Sequence, residues 1–449
     1  MPNNVYIGSR YVPIFDGIWN NTKSYEALTI VEYGNNTYTS KKPVPVGTLP
    51  TNTSYWALTG NYNGQISNLQ SQVDTINLEL RSAHIFESAA DMIASDIDFE
   101  DDAIIIISDG TIFKVVTSSN PITRALNNGK YAELLPDDKN FYHIGSLGLS
   151  SYADIYPILN YLFSNGNSYI YIENGNYSMS DTLVINYPVT PQIQIIGESK
   201  TNTKIKCAKG FLNVLVYGYT FRGSIIENLR IEGTTEDPVG GDYNGIELTW
   251  ASLDANNMID YINLNDLLMS YFNNAISLGG RVIWNKFTNL TLLYNKIAFS
   301  YSSRTNSSYF NNNVFINCEF DTNLNYGLYF NCEPKHGLSN IFIGCSCEGN
   351  NYGDTTSSNL AEMVLINFSA KFDACHFEKT SGVTNFVVVV PVKCCLLFNG
   401  CAFFNYAAHM LTNSNSMAVF EGSSEVNCSE TVYGTDTGTT VFEHTFTMV

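Results

Sequence analysis

The sequence has 449 residues, 44% of them hydrophobic and 13% aromatic, which is long enough for more than one globular domain. Its 23 basic and 42 acidic residues give a net charge of −19, which argues against nucleic acid as a partner because phosphate binding needs clustered Lys and Arg. No stretch approaches the ~20 apolar residues of a membrane span, and residues 1–17 lack the basic flank and apolar core of a secretory signal.

Residues 1–62 are rich in Tyr, Trp, Asn and turn residues, and short alternating runs predict a compact β module of two or three strands. Its aromatic and turn positions are, in order, Trp19, Tyr25, Val31, Gly34, Tyr38, Pro50 and Trp56. This series resembles the small chitin-binding modules of bacterial chitinases, with Leu28-Thr29 in place of their Gly-Asp pair. The resemblance implies that Trp19, Tyr38 and Trp56 stack on sugars. The alternatives are that these aromatics form the module's core, or that the module attaches the protein to a larger particle.

Residues 63–82 predict a short coiled-coil helix. Apolar side chains recur at steps of three and four residues, with Ile66, Val73 and Leu80 in one seam position and Leu69 and Ile76 in the other. A helix this short is marginal alone, so we expect it to form a junction between chains. The mixed seam does not decide how many chains meet there.

Residues 83–136 predict a small α+β module. A short helix is expected over residues 88–95, followed by a hairpin of residues 103–107 and 111–116 around Asp109-Gly110. The segment at residues 129–136 resembles the piece that precedes the β-helix in many phage tail spikes. We expect this module to cap the first rung of such a helix.

Residues 137–449 open with a helix and a series of short strands. The expected elements are a helix at 154–162, strands at 169–172, 182–185, 193–197 and 203–206, and an Asn-Gly-x-Tyr turn at 174–177. This order resembles the start of a pectate-lyase-like, right-handed parallel β-helix. The expected fold is therefore all-β, with a solenoid in which each rung is buried against its neighbours.

Ten cysteines are present, and their spacing indicates a repeat. Cys318, Cys345, Cys375, Cys401 and Cys428 follow one another at intervals of 26 to 30 residues. The first four each lie in a short apolar strand segment, directly after a small residue or Asn that is expected at a bend. Buried free cysteine behaves as a small hydrophobe, so we predict a column of stacked, free thiols inside the solenoid. No spacing favours a zinc site.

The repeat also predicts which side chains point outwards, because they alternate along a strand. The expected outer columns are Asp321, Glu348 and Glu378 in one, and Glu319, Ser346 and His376 in the other. Rungs stack at roughly 4.8 Å, and carboxylates so close should raise one another's pKa, as a general acid requires. We predict Glu378 as acid and Asp321 as base of a glycosidase, retaining if adjacent rungs act and inverting if alternate rungs act. A solvated acidic surface and a divalent-cation site are the alternatives, and neither a metal nor a cofactor is expected.

Two insertions interrupt the repeat and are candidates for ligand contacts. The loop before Trp250 carries several acidic residues, and we expect Trp250 and Asp242 to contact glycan. A second turn at residues 331–337 carries Glu333, Lys335 and His336.

Taken over its four segments, the chain resembles phage tail-spike and receptor-binding proteins. The resemblance implies a homotrimer on the phage tail, partnered by tail or baseplate proteins, that binds bacterial surface polysaccharide. A polysaccharide depolymerase (glycoside hydrolase or lyase) and a purely structural tail spacer are the alternatives, and no nucleic-acid or membrane partner is expected.

Overall fold

The computed structural model describes residues 12–60, 65, 67–73, 83–187, 192–216, 220–234, 243–250, 258–303, 308–334, 336–351, 361–379, 386–392, 394–406, 408–412, 416–426, 430–433, 440–444 and 447–448. It divides into two compact units, Met1–His84 and Ile85–Val449. No helix in the described ranges is long and apolar enough to span a membrane.

The first unit contains a four-stranded sheet; the β character is as predicted, and the sheet has one strand more than the two or three expected. The strands are, in sheet order, Ile14–Ile18, Thr29–Tyr33, Asn36–Ser40 and Trp56–Gly60. The first two are parallel and the others antiparallel. The core consists of Tyr25, Val31, Val44 and Trp56, so this small module is held together mainly by aromatic and β-branched side chains.

The predicted coiled-coil helix is described only in part. Residues 65 and 67–73 are helical. Within them Leu69 and Val73 are exposed, as expected of a seam that a second chain would cover. Ile66, Ile76 and Leu80 lie outside the described residues.

The second unit begins with the predicted α+β module. Its elements are the strands Ala83–Phe86, Ile104–Ile107, Ile112–Val116, Thr123–Ala125 and Tyr131–Leu134 and the helix Ala89–Ala94. Ser88 caps the helix by accepting a hydrogen bond from the amide of Asp91 (3.1 Å). The helix and the hairpin are thereby confirmed. The buried side chains of the module are continuous with those of the first rungs of the solenoid, as a capping module requires.

The rest of the second unit is a parallel β-helix with three long faces and a short fourth one. It includes the 3₁₀ turn Ile144–Leu147 and the helix Tyr156–Ser164. Face 1 contains Tyr142–His143, Tyr169–Ile172, Gln194–Gly197, the first halves of Ile225–Glu232 and Asn263–Ser270, Lys286–Thr288, Val314–Ile316, Gly337–Ile343, Phe368–Asp373, Cys395–Asn399, Met417–Glu421 and Thr440–His444. Face 2 contains Ala153–Asp154, Gly175–Met179, Thr203–Cys207, the second halves of the two long strands, Thr291–Leu293, Ser346–Glu348, His376–Glu378, Ala402–Phe404, Ser424–Val426 and Thr447–Met448.

Faces 3 and 4 close each rung. Face 3 contains Leu183–Tyr187, Leu212–Val216, Ile246–Trp250, Asn274–Gly279, Ile297–Ser302, Tyr326–Asn331, Ala361–Ile366, Phe386–Val392, Ala408–Thr412 and Glu430–Tyr433. Face 4 contains Thr220–Arg222, Met258–Asp260, Arg281–Ile283 and Tyr309–Asn311. Every strand pair within the β-helix is parallel, which confirms the predicted fold class.

The bend between faces 1 and 2 explains the turn residue in the repeat. In each of the eight rungs from Ile225 to Glu421, one residue has a positive φ there: Asn228, Asp266, Asn289, Asn317, Gly344, Ala374, Gly400 and Gly422. Gly, Asn and Asp tolerate this left-handed conformation better than other residues do. The sequence therefore marks where each of these eight rungs turns.

The cysteine column follows directly after this bend and is one residue shorter than predicted. Cys318, Cys345, Cys375 and Cys401 are free and buried, as expected. The next rung continues the column with Ser423, whose hydroxyl accepts a hydrogen bond from the amide of Cys401 (3.3 Å). Placing Cys428 in this column was therefore wrong, because the last described rungs are shorter than the spacing assumed; Cys428 itself lies outside the described residues.

Candidate functional site

Face 2 carries the predicted outer columns. Glu319 pairs with Ser346, and Ser346 pairs with His376 on the following rung. Glu348 pairs with Glu378 in the neighbouring column. Between them, Cys347 and its counterparts on adjacent rungs are buried. The inward and outward register is confirmed, and it brings all five predicted catalytic residues onto one surface.

Asp321 is the most enclosed of the five. Ser346 Oγ donates to both of its carboxylate oxygens (3.0 and 2.9 Å), and the amide of Glu348 donates to Oδ1 (2.9 Å). Burial raises the pKa of Asp321 to about 6, and the nearby carboxylates of Glu348 and Glu319 add to the shift against the lowering effect of the hydrogen bonds. Asp321 therefore exchanges a proton close to neutral pH.

Glu348, His376 and Glu378 form a contact group beside it. His376 Nε2 lies 3.1 Å from Glu348 Oε1 and 3.2 Å from Glu378 Oε2. The imidazole also packs against the ring of Phe404, with centroids 4.9 Å apart. Partial burial raises the pKa of Glu348; the His376 side chain opposes this shift and the Glu378 carboxylate adds to it.

The same three side chains offer a possible metal-ligand set. One ligand atom from each lies within 4.8 Å of the others. Imidazole and carboxylate ligands would suit a transition-metal ion. Each of them already has a protein partner in the group, however, and all three are only partly buried. We therefore derive the chemistry of the site from the side chains alone.

A buried carboxyl group beneath the surface was missed from the sequence. Glu362 is fully buried, and its Oε2 accepts hydrogen bonds from the amide (3.0 Å) and the side-chain nitrogen (2.5 Å) of Asn350. Burial raises its pKa well above the usual range, and the charge of Asp321 contributes. A glutamate within the apolar strand Ala361–Ile366 was the signal that could have indicated it.

Two stacked aromatic pairs on the bends were also missed. Tyr261 and Trp284 are about half exposed, with ring centroids 5.5 Å apart and the guanidinium of Arg222 over the tyrosine. Tyr271 and Tyr294 stack on a different bend at 5.9 Å. Each pair is separated by 23 residues in the sequence, so no local pattern indicates it.

The aromatics of the N-terminal module have different environments. Trp56 is only 1% exposed and packs edge-on against Tyr25, with centroids 5.4 Å apart. A ring so buried has no face to offer a sugar, so we assign Trp56 to the module's core, one of the alternatives left open. Trp19 and Tyr38 are partly buried and pack against this core. Trp19 also contacts Tyr33 edge-on at 5.3 Å.

The predicted glycan contacts in the loop before Trp250 cannot be placed. Trp250 ends the strand Ile246–Trp250, where its backbone pairs with Val216, but its side chain is outside the described part. Asp242 also lies outside the described residues. Their predicted role stays a prediction.

Comparison with known proteins shows what this fold is similar to. No family model matches the sequence, and no curated protein matches it by sequence. Among solved structures, the chain is similar to the tailspike gp42 of Acinetobacter phage vb_AbaP_AS12 (TM-score 0.55, 13% identity, covering 76% of this chain and 63% of that one). It is also similar to the enzymatically active domain of tailspike protein 4 of bacteriophage CBA120 (TM-score 0.53, 12% identity, covering 97% of this chain and 65% of that one).

A third similar structure is the tailspike gp49 of Acinetobacter baumannii bacteriophage Fri1, described as a capsular polysaccharide depolymerase (TM-score 0.51, 13% identity, covering 82% of this chain and 75% of that one). The chain has the parallel β-helix fold of phage tailspikes. The chain spans less than two thirds of the length of the AS12 and CBA120 structures, so it shares only part of each of them. At 12 to 13% identity the similarity establishes the fold, and activity is a separate question.

Proposed function

We propose that this chain is a bacteriophage tailspike, located on the phage tail, that recognises polysaccharide on the bacterial surface during adsorption. Its fold is that of tailspikes, and one similar structure is described as acting on capsular polysaccharide. The observation that carries the proposal is the polar cluster on the outside of face 2, where Asp321, Glu348, His376 and Glu378 converge. A rigid solenoid that presents polar side chains along one face suits an extended polymer.

A second candidate function is cleavage of that polysaccharide at the same cluster. It is favoured by the raised pKa values of Asp321 and Glu348, since a general acid must hold a proton near neutral pH. This reverses the roles inferred from the sequence. Asp321 becomes the acid, and Glu378, in contact with His376, becomes the base or nucleophile. The rung spacing admits either stereochemical outcome.

The test is to incubate the purified protein with capsule or wall polysaccharide from the host and measure binding and new reducing ends or unsaturated products. Asp321→Asn and Glu378→Gln remove the proposed acid and base with little change of shape. Glu421→Gln is the matched control, because Glu421 is an exposed carboxylate at the end of the face 1 strand Met417–Glu421. Each site variant should lower turnover at least a hundredfold, and the control should not.

The outcomes separate the candidate functions. Products that disappear with the site variants support a depolymerase. Binding without products would overturn cleavage and leave an adhesin. Neither binding nor products with any host polysaccharide would overturn the proposal and favour the structural spacer.

We also propose a homotrimer attached to tail or baseplate proteins through residues 1–62. The exposed seam residues Leu69 and Val73 support association of chains through the helix that follows this module. Sugar stacking by Trp19 and Tyr38 is the alternative role of the module, because both rings are partly exposed.

A further inference from the structure

Face 2 carries a second feature, a cationic pocket on its early rungs. The pocket has a volume of about 220 Å³, which is below the range of typical drug-sized sites. It is lined by Tyr152, Asn176, Tyr177, Lys204, Lys206, Arg230 and Glu232. The side chains come from four successive rungs, so the pocket is built by the stacking of the solenoid.

The volume of this pocket, about 220 Å³, suits a single charged sugar rather than a longer segment. Arg230 is neutralised by an ion pair with Glu232 on the same strand. Lys204 and Lys206 have no ion pair with a carboxylate among the described residues. Two uncompensated cations therefore stand side by side on a protein whose net charge is −19.

An exposed aromatic ring adjoins these cations. Tyr152 is 64% exposed and has a φ of 61°, a conformation that is uncommon for an aromatic residue. Its backbone is held in place, because its amide donates to the carbonyl of Asn176 (2.6 Å) and its carbonyl accepts from Ser178 Oγ (2.9 Å). The exposed ring offers a flat apolar face beside two positive charges, which is the chemistry that recognises an acidic sugar.

The pocket and the carboxylate cluster lie on one continuous surface. The pairing register joins them through a single outer column: Lys204, Arg230, Leu268, Thr291, Glu319, Ser346 and His376. At roughly 4.8 Å per rung, Lys204 and Ser346 are about 24 Å apart along the solenoid. One extended polymer can reach both.

We infer that the pocket of Tyr152, Lys204 and Lys206 is a subsite for an anionic group, a carboxylate or a phosphate, of the polysaccharide that lies along face 2. This inference rests on the proposed function and names its substrate class as an acidic polysaccharide. The far end of the surface carries Glu319, Glu348 and Glu378, which repel anions. The polysaccharide therefore carries its acidic groups on some sugars of its repeating unit and not on all of them.

The experiment measures the affinity of the full chain for polysaccharide extracted from its host, in three forms: native, with its carboxylates chemically reduced, and with its phosphate removed. The variants are Lys204→Ala/Lys206→Ala and Tyr152→Ala. The matched control is Lys286→Ala/Lys296→Ala, which removes two exposed lysines away from face 2. The double variant should weaken binding of the native polymer on the order of tenfold and flatten its salt dependence, and the control should change neither.

The arms of the experiment identify the anion and separate the two proposals. Loss of affinity on carboxylate reduction assigns a uronate-type acid, and loss on phosphate removal assigns a phosphate. In either case the lysine variant should be insensitive to that treatment. If the wild-type chain binds but the lysine variant binds equally well, the subsite is overturned and the proposed function stands. If the wild-type chain binds none of the three forms, the proposed function fails and the subsite with it.

Discussion

At the scale of single residues, Asp321 shows how the rung geometry changes a side chain's chemistry. Its carboxylate is enclosed between rungs, and burial outweighs the hydrogen bonds from Ser346 and Glu348 that favour the charged form. The folded protein therefore holds this proton more tightly than the unfolded chain does. A group with this property makes folding stability depend on pH.

The first prediction concerns that dependence. The pKa of Asp321 rises from 3.8 to about 6 on folding, so its contribution to stability is fully present below pH 4 and is lost as the pH rises towards 6. Asp321→Asn should raise the free energy of unfolding at pH 7.5 by about 1–2 kcal/mol and have little effect at pH 3.5. Chemical denaturation at both pH values measures this.

Asp373 provides a control, because its pKa is shifted in the direction opposite to that of Asp321. The pKa of Asp373 is lowered by its ion pair with Lys371 (2.9 Å) and by a hydrogen bond from Asn399. The contribution of Asp373 to folding stability is present above the ordinary pKa of a carboxyl group and is lost as the pH falls. Asp373→Asn should therefore not stabilise the protein at pH 7.5. Equal effects of the two substitutions would contradict the burial of Asp321.

At the scale of elements, the interior is organised as columns of identical side chains. Face 1 contributes a column of rings: Phe287, Phe315, Phe342, Phe372, Phe398 and Phe420. Successive centroids are 4.3 to 5.0 Å apart. Buried asparagines form parallel columns, in which Asn313 accepts from Asn285 and donates to Asn340. These columns satisfy buried polar groups and fill the core at the same time.

The second prediction concerns the ring column. Phe342 lies between two stacked neighbours and is fully buried. Phe342→Ala should lower the free energy of unfolding by about 3–5 kcal/mol, because it leaves a cavity that rigid rungs cannot fill. The next residue, Ile343, points outwards and is 38% exposed, so Ile343→Ala should cost much less. Comparable losses in equilibrium denaturation would contradict the register.

The repeat and its register could be predicted from the sequence, but the end of the cysteine column could not. The run of apolar residue, turn residue and Cys marks the bend, because few residue types tolerate a positive φ there. Spacing alone cannot tell that Ser423 follows Cys401, because rung length depends on how each bend is closed. Ser and Cys have similar volumes, so the core accepts either.

At the scale of the whole molecule, the third prediction is the trimer. Light scattering at micromolar concentration should give a mass three times the 49.9 kDa of the chain. Charging the seam with Leu69→Lys/Val73→Lys should weaken association, whereas changing the neighbouring exposed Gln70 to Lys should not. A wild-type monomer at this concentration would contradict the prediction.

The sequence by itself determined the solenoid, its turn residues and the outward column of Asp321, Glu348 and Glu378, because these follow from local alternation and from a repeat. Only the tertiary structure decided which carboxylates are buried enough to hold a proton. It also brought Tyr152, Lys204 and Lys206 into one pocket and placed Glu362 beneath the surface. The physical reason is that burial and rung-to-rung contact join residues 20 to 30 positions apart, and their electrostatic effect depends on distances that no local pattern encodes.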